Sequence, residues 1–329
     1  MKTPGTSVPP TVSIGVPVYN GENFVGEALR SIREQTFDDY EVVISDNAST
    51  DRTEAICREF VDRDARFRYD RHAKNLGAGP NFNATFKRAR GRYFKWQAHD
   101  DLLTPQYLAK TVAALEADPA AVLCHSRIRL IDAHGDTLDA DGSDFPEAGA
   151  LRASDRFLCL ATSRHQCLAL GGLIRTAALA GTPLIASFHG SDRTLLAELA
   201  LRGTFIEIPE AIFITRDHPG RYRRAALNPE QRLAFHDTSL AGQRRVATWD
   251  QYREYWAMIA RNVTDPYERL RCRRHLLKWW FVNWNAARLG VDVLALFAPG
   301  ILHRAERFKQ RVFSPEPGPD ASGKRAKRG

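Results

Sequence analysis

The sequence predicts an α/β protein whose central sheet is mostly parallel, and three observations lead to this prediction. Short apolar runs with strand character alternate with segments of helical periodicity through the first hundred residues. Parallel sheets need this order, because each crossover must carry the chain back across the sheet before the next strand begins. Two of the strand-like runs end abruptly in acidic residues, and the chain beyond about residue 225 is helical in pattern and rich in tryptophan and arginine.

The composition is typical of a soluble globular protein with one large core or two modest ones. Of 329 residues, 43% are hydrophobic and 26% are charged. The five cysteines form no CxxC pair, which argues against a disulfide framework or a thiolate zinc site and favours a reducing cytosol. There is no signal-peptide pattern and no uncharged apolar run near the ~20 residues that span a bilayer. A net charge of +8 is compatible with nucleotides, anionic lipids or nucleic acid.

The first elements follow from apolar patterning and turn residues. Residues 12–20 predict a buried strand that breaks at an Asn-Gly turn, and a helix with one apolar face follows. Residues 40–45 predict a second strand, which runs into the cap and turn formers of residues 46–51. The next helix is expected to place three residues inward, namely Ala55, Ile56 and Phe60.

A strand ending in two adjacent carboxylates is predicted over residues 93–101, after a short strand at 67–69 and a helix that opens from the loop 75–81. Neighbouring side chains of a strand point to opposite faces, so Asp100 and Asp101 are not both expected to face the core. Their position at the carboxyl end of the strand suits a divalent cation and the phosphates it carries. A solvated turn before a helix is the alternative interpretation.

The middle of the chain continues the alternation less regularly. Residues 121–132 predict a strand, and residues 136–150, which have no period, predict a mobile loop. Residues 204–208 and 211–215 predict a pair of strands separated by a Pro-Glu dipeptide. A helix is predicted to begin near Ser191 and Asp192, either of which can cap its first turn.

We expect four segments: an N-terminal extension at 1–9, a catalytic domain at 10–225, a helical region at 226–313 and a disordered basic tail at 314–329. Within the helical region, residues 276–311 alternate aromatic and aliphatic runs with Lys and Arg. Such helices can lie in a membrane interface, although packing against the domain itself is the more common arrangement.

Four motifs together resemble the nucleotide-sugar half of the family 2 glycosyltransferases, which have the GT-A fold. The resemblance covers roughly residues 10 to 220, with the motifs in order and at family-like spacing. The motifs are Pro17-Val18-Tyr19-Asn20, Asp46-Asn47 with Ser49 and Asp51, Asn75-Leu76-Gly77, and His99-Asp100-Asp101.

The resemblance implies roles for individual residues. Asp192, in a Ser-Asp pair similar to the later acidic motif of the family, would be the catalytic base. Mn²⁺ or Mg²⁺ would be bound by Asp101 with Asp100, and His218, in an Arg-x-His segment, could join them, although a turn residue is the alternative there. The remaining positions would bind the nucleotide sugar: Pro17, Val18, Tyr19, Asn20, Glu22, Asp46, Asn47, Asn75, Gly77, Asp100 and Arg221.

The chemistry of sugar transfer needs these residue types. A metal neutralises the departing diphosphate as a Lewis acid, and a carboxylate on the opposite side accepts the proton of the attacking hydroxyl. A single base without an enzyme nucleophile gives inversion at C1. The expected partners are a nucleotide sugar and a glycan or lipid-linked acceptor, in a cytoplasmic protein that could sit at the inner face of the membrane; no nucleic acid is expected.

Other functions stay open at this point. A nucleotidyltransferase that makes nucleotide sugars would also bring nucleotide and metal to an α/β sheet. It usually has a Gly-rich, basic loop after the first strand, where this chain has Asn20-Gly21-Glu22-Asn23, which is acidic and has no basic residue. A basic membrane- or nucleic-acid-binding protein without enzymatic activity is compatible with the net charge. The sequence does not identify the sugar, the nucleotide or the acceptor.

Overall fold

The structure, a computed structural model, describes residues 8–144, 152–221 and 229–297. Nine strands are described, β1 (Val12–Val18), β2 (Tyr40–Asp46), β3 (Phe67–Arg71), β4 (Tyr93–Trp96), β5 (Leu102–Leu103), β6 (Ala121–Ile131), β7 (Thr137–Gly142), β8 (Leu173–Arg175) and β9 (Thr204–Arg216). The α-helices in these ranges are α1 (Val25–Arg33), α2 (Thr53–Arg63), α3 (Ala78–Lys87), α4 (Tyr107–Ala117), α5 (Ala153–Thr162), α6 (Thr176–Ala180), α7 (Ser191–Arg202), α8 (Pro229–His236), α9 (Ala247–Asn262), α10 (Pro266–Trp279) and α11 (Asn285–Phe297).

The strands form one sheet in the order β3-β2-β1-β4-β8-β6-β9-β5, with β7 paired to the far part of β6. The β3-β2-β1-β4 portion is parallel, as is the β6–β9 pair, whereas β5, β7 and β8 run antiparallel to their neighbours. Val18 pairs with Asp46, and Gly15 pairs with Trp96. The acidic residues that follow β2 and β4 therefore lie at the same edge of the sheet, as the alternation of elements predicts.

Helices cover both faces of the sheet, which explains why β1 and β2 are continuous apolar runs rather than alternating ones. One hydrophobic cluster contains the side chains of β1 and β2 with those of α1 and α4. The other contains Phe94 and Trp96 of β4 with α5 and α7, and it extends to Tyr255, Met258 and Trp279 of the C-terminal helices. The inner faces of α9 and α10 thus belong to the same hydrophobic core as β4.

The sequence prediction is wrong for the two segments that flank β6. Residues 137–142 are predicted as loop, but they form β7, because pairing with β6 supplies hydrogen bonds that no local pattern reveals. Residues 204–216 are one strand rather than a pair, and they run parallel to β6. Their pairing with β6 shifts register between Ser126 and Arg127, opposite Pro209, since proline cannot donate to the ladder.

Two smaller expectations are also corrected. Ala55 is exposed, because α2 turns Thr53, Cys57 and Phe60 inward at a spacing of four and three residues. Asp100 and Asp101 lie beyond the end of β4 in a turn, where strand alternation does not apply, and both are buried. The predicted tail at 314–329, the end of the predicted loop at 145–150 and the predicted boundary near residue 225 lie outside the described residues, and the segment limits stay predictions.

Candidate active site

Asp46 ends β2 and anchors the first polar cluster. It is fully buried, and its Oδ1 accepts a hydrogen bond from the Ser49 N–H at 2.8 Å while its Oδ2 accepts one from the Tyr69 hydroxyl at 2.5 Å. Burial and the bond to Asp46 both raise the pKa of Tyr69. Arg71 Nε lies 3.7 Å from Asp46 Oδ2. The carboxylate is therefore held rigidly at the carboxyl edge of the sheet.

Asn47 fixes the loop that precedes α3. Its Nδ2 donates to Asn75 Oδ1 at 2.9 Å and to the Gly77 carbonyl at 3.1 Å, and its Oδ1 accepts from the Leu76 N–H at 2.8 Å. Gly77 has φ +91°, and a Cβ on it would meet the backbone of Asp237 at 2.6 Å. Only glycine fits there, because both the left-handed conformation and the close backbone contact exclude a side chain.

The turn after β1 divides the predicted nucleotide-binding residues into two groups. Pro17 and Val18 are buried within the sheet, whereas Tyr19, Asn20 and Glu22 reach the surface. Asn20 has φ +47°; its N–H donates to Ser49 Oγ at 2.9 Å. The turn is thus tied to the loop after β2, and only its last residues can touch a ligand with their side chains.

Asp100 and Asp101 form the second polar cluster together with β9 and the residues that follow it. Asp101 Oδ1 accepts hydrogen bonds from Thr215 Oγ1 at 2.9 Å and from the Arg216 N–H at 3.0 Å, and Arg221 Nη2 lies 3.5 Å away. Asp100 Oδ2 lies 3.0 Å from His218 Nε2. The fold therefore brings together all four residues that the sequence predicted for metal and diphosphate.

The two carboxyl groups have opposite pKa shifts. Burial, reinforced by the neighbouring charge of Asp100, raises the pKa of Asp101 to about 6. Burial also opposes ionisation of Asp100, but His99, Arg221 and the bond to His218 outweigh it and lower the pKa of Asp100. Ionising Asp101 beside the charged carboxylate of Asp100 is therefore unfavourable, and a bound cation would relieve the repulsion between the two groups.

Several residues in this cluster were not assigned a role from the sequence. Arg216 is buried, stacks over the Phe24 ring at 4.6 Å and donates to Glu27 Oε2 at 2.6 Å and to the Asp100 carbonyl at 3.2 Å. It locks the Asp100 turn to α1. No local pattern marks Phe24 or Glu27 as part of a site, because their role depends on a residue about 190 positions away.

The donor set fits a divalent cation only in part. Within the described ranges no three His, Cys, Asp or Glu side chains are arranged to hold a metal ion. Two carboxylates suit Mg²⁺ or Mn²⁺ nevertheless, since such ions commonly take one or two protein carboxylates and complete their shell with substrate phosphates and water. Asp100 and Asp101 would hold the ion, and His218 would reach it only by leaving Asp100.

Asp192 lies in the first turn of α7 and is half-buried. The N-cap of this helix is Gly190, at φ +90°, so neither Ser191 nor Asp192 is the cap that the sequence suggested. Asp192 Oδ1 accepts from the Arg193 N–H at 2.8 Å, and the Ser191 hydroxyl is buried without a hydrogen bond to the described part of the chain. A carboxylate here is favoured by the helix dipole.

Two histidines without a predicted role, His189 and His236, interact electrostatically with Asp192. Burial, together with the neighbouring His236, lowers the pKa of His189 to about 4, and the two rings lie 5.8 Å apart. The His236 carbonyl in turn lies 2.8 Å from where a Cβ of Gly77 would be. A continuous set of contacts therefore joins the Asn75–Gly77 loop to the surroundings of Asp192.

Residues 13–152 match the family described as Glycosyl transferase family 2. This segment of the chain is similar to a family 2 glycosyltransferase domain. Among its relatives, an uncharacterized glycosyltransferase of Rickettsia typhi is 35% identical over 124 residues, which are 37% of this chain and 38% of that protein. The putative glycosyltransferase EpsH of Bacillus subtilis is 32% identical over 132 residues, 40% of this chain and 38% of that protein. The chain thus matches less than two fifths of the length of these relatives.

Solved structures extend the likeness beyond the family 2 domain. Residues 1–349 of Staphylococcus aureus TarS share 19% sequence identity with the chain at a TM-score of 0.59, covering 82% of this chain and 72% of that TarS segment. The same part of TarS has been solved with UDP-GlcNAc, at a TM-score of 0.58. At this identity the likeness shows the fold, and the predicted GT-A fold is confirmed. Of the two enzymatic interpretations, the match of residues 13–152 to family 2 supports the glycosyltransferase.

Proposed function

We propose that this protein transfers a sugar from a nucleoside diphosphate to an acceptor hydroxyl with inversion at C1. The observation that carries the proposal is a pair of separate acidic positions, one inside the segment 13–152 that matches family 2 and one beyond it. Asp100 and Asp101 are buried at the carboxyl edge of the sheet beside Arg221, and Asp192 stands half-buried at the start of a helix. Asp100 and Asp101 are suited to bind a cation that neutralises the charge of the leaving group, and Asp192 is suited to accept a proton.

The donor would be held along the carboxyl edge of the sheet. Asp46 and the loop that Asn47 fixes would hold the nucleoside, with Tyr19 and Asn20 exposed beside them. A divalent cation on Asp100 and Asp101 would neutralise the diphosphate as a Lewis acid. Arg221, already within 3.5 Å of Asp101, would add positive charge to the same group.

Asp192 would accept the proton of the acceptor hydroxyl as it attacks C1. The new C1–O bond forms as the bond to the diphosphate breaks, and the departing electron pair stays on the diphosphate oxygen. A base of this kind contributes about 10²–10⁴ to the rate. Because no enzyme group attacks C1 in this scheme, the configuration inverts in a single displacement.

A panel of nucleotide sugars tests the proposal, with and without Mn²⁺ or Mg²⁺, by release of nucleoside diphosphate and by thermal shift. We expect at least one donor to raise the melting temperature and to be turned over only with metal. Asp192→Asn should lower transfer about 10³-fold with an unchanged melting curve, because Asn keeps the size of Asp but cannot accept the proton. Full activity of this variant, or turnover of no donor in the panel, would reject the proposal.

The C-terminal helices support a further part of the proposal, contact with an anionic membrane. No helix in the described ranges is both long and apolar enough to cross a bilayer. Phe281 and Trp284, between α10 and α11, are 87% and 71% exposed, and Lys278 beside them is exposed as well. Aromatic side chains next to basic ones are typical of a surface that rests in a lipid interface.

A further inference from the structure

An aromatic cleft on α9 lies outside the residues assigned above. It has a volume of about 580 Å³, within the ~300–1,000 Å³ usual for small-molecule sites. Trp249, Tyr252 and Trp256 line it, and because they are three and four residues apart they share one face of the helix. Trp249 and Trp256 are 44% and 43% exposed, so their rings are available to a ligand.

The cleft also presents polar groups of both signs. Asp250 is only 14% exposed, and its Oδ2 is enclosed and accepts no hydrogen bond from the described chain, although Arg245 Nε lies 3.3 Å away. Glu254 is ion-paired with Arg261, whereas the exposed Arg253 forms no ion pair within the described ranges. Asp250 Oδ2 thus has an ion-pair partner but no hydrogen bond within the described chain, and it is free to accept one from a ligand.

We propose that this cleft binds a sugar residue of the acceptor, and that the acceptor is therefore a carbohydrate chain rather than a simple alcohol. A sugar ring has C–H faces that pack on aromatic rings and hydroxyls at its rim that donate to carboxylates and accept from guanidinium groups. The cleft offers both, with tryptophan faces beside Asp250 and Arg253. An anionic lipid surface fits less well, because the four charged side chains that line the cleft, Arg245, Asp250, Arg253 and Glu254, cancel in charge.

The position of the cleft suits an acceptor. Phe188 lines it and stands four residues before Asp192, a separation that the chain can span by at most about 14 Å. Gln251, also on α9, lies 3.4 Å from where a Cβ of Gly190 would be. The cleft thus borders the loop that leads into α7, and a sugar bound there would be one or two residues away from the hydroxyl that reacts.

The inference rests on the proposed function, and binding and turnover are measured separately so that each can fail alone. The full chain is titrated with neutral and acidic oligosaccharides of two to six sugars, with ligand-observed NMR as the readout. We expect at least one to bind. Trp249→Ala and Arg253→Gln should each weaken binding by twofold to about tenfold, while the exposed tryptophan outside the cleft, changed as Trp284→Ala, leaves it unaltered.

Hydrolysis of the nucleotide sugar in the absence of acceptor tests the donor site independently of oligosaccharide binding. Nucleoside diphosphate release should be the same in Trp249→Ala, Arg253→Gln and the wild-type protein, since neither residue touches the donor site. If no donor is turned over but oligosaccharides bind through Trp249, the proposed function fails and the cleft proposal stands. The cleft proposal is overturned if no oligosaccharide binds, if both cleft variants bind normally, or if Trp249→Ala abolishes only the binding of phosphatidylglycerol vesicles.

Discussion

Phe94 and Trp96 on β4 are fully enclosed, whereas Phe281 and Trp284, between α10 and α11, are largely exposed. Both regions are rich in aromatic residues, but the rings are buried in the first and exposed in the second. On β4 the rings pack between the sheet and the helices, with Phe94 and Trp96 4.9 Å apart edge to face. In the C-terminal helices only the inner face, including Leu276 and Trp279, joins that core.

The comparison shows that a helix packed on the outside of the core buries one face, while its other face stays accessible to ligands. The inner strands β1, β2 and β4 have helices on both sides, and all of their residues are buried. The two proposed functional sites follow the same division. The Asp100 and Asp101 pair at the end of β4 is buried, and the aromatic cleft of α9 is open to solvent.

The largest expected effect is on stability, from truncating a buried ring of the sheet. Phe94 packs edge to face against Phe86 at 5.1 Å as well as against Trp96, so Phe94→Ala should lower the free energy of unfolding by about 3–5 kcal/mol. Urea denaturation measures the loss. The matched change Phe281→Ala should alter it by less than about 0.5 kcal/mol, and equal losses in the two variants would contradict the contrast.

A pH-dependent effect is expected at Lys95, which is buried on the same strand. Its Nζ donates to the Gly171 carbonyl and lies 4.6 Å and 4.8 Å from the centroids of the Tyr107 and Phe213 rings. Burial lowers the pKa of Lys95 to about 7. Below pH 7 both folded and unfolded chains carry this charge, so the cost of burying it is fully present; above the unfolded pKa near 10.4 both are neutral and it disappears.

The wild-type protein should therefore become more stable, relative to Lys95→Met, by about 2–4 kcal/mol as the pH rises from 7 to 10.5. Denaturation of both proteins at several pH values isolates this difference, because the other groups titrate in both. Lys278→Met, at an exposed lysine of α10, serves as the control and should show no such trend. If the stability difference between the wild-type protein and Lys95→Met stays constant or falls as the pH rises, the pKa of Lys95 is not lowered by burial.

Replacing the exposed C-terminal rings should have the smallest effect on stability but should specifically reduce membrane binding. Phe281→Ser combined with Trp284→Ser should leave the melting temperature nearly unchanged but reduce flotation with phosphatidylglycerol vesicles, since each buried ring contributes about 1.5–3 kcal/mol to insertion. Deleting residues 276–329 is a poorer test, because it also removes the buried Leu276 and Trp279. Undiminished flotation of the double variant would count against membrane contact through this surface.

Local patterns were sufficient for the elements between residues 12 and 96. Strands buried on both faces give continuous apolar runs, and α1 places its buried residues at helical spacing, so both leave a signature in neighbouring positions. The patterns failed at β7 and β9, where pairing with β6 decides the conformation. They also failed for the environment of Asp192, since His236 interacts with it from 44 positions further along the chain.

By itself the sequence determined the alternation of strands and helices, the parallel first half of the sheet and the acidic residues at the ends of its strands. Those features depend on contacts between near neighbours and on the order of elements. Only the tertiary structure decided that Asp100 and Asp101 are both buried, that Arg216 ties their turn to Glu27, and that Trp249 and Trp256 face solvent. These outcomes depend on which distant surfaces meet, and a side chain's type does not specify the partner that will cover it.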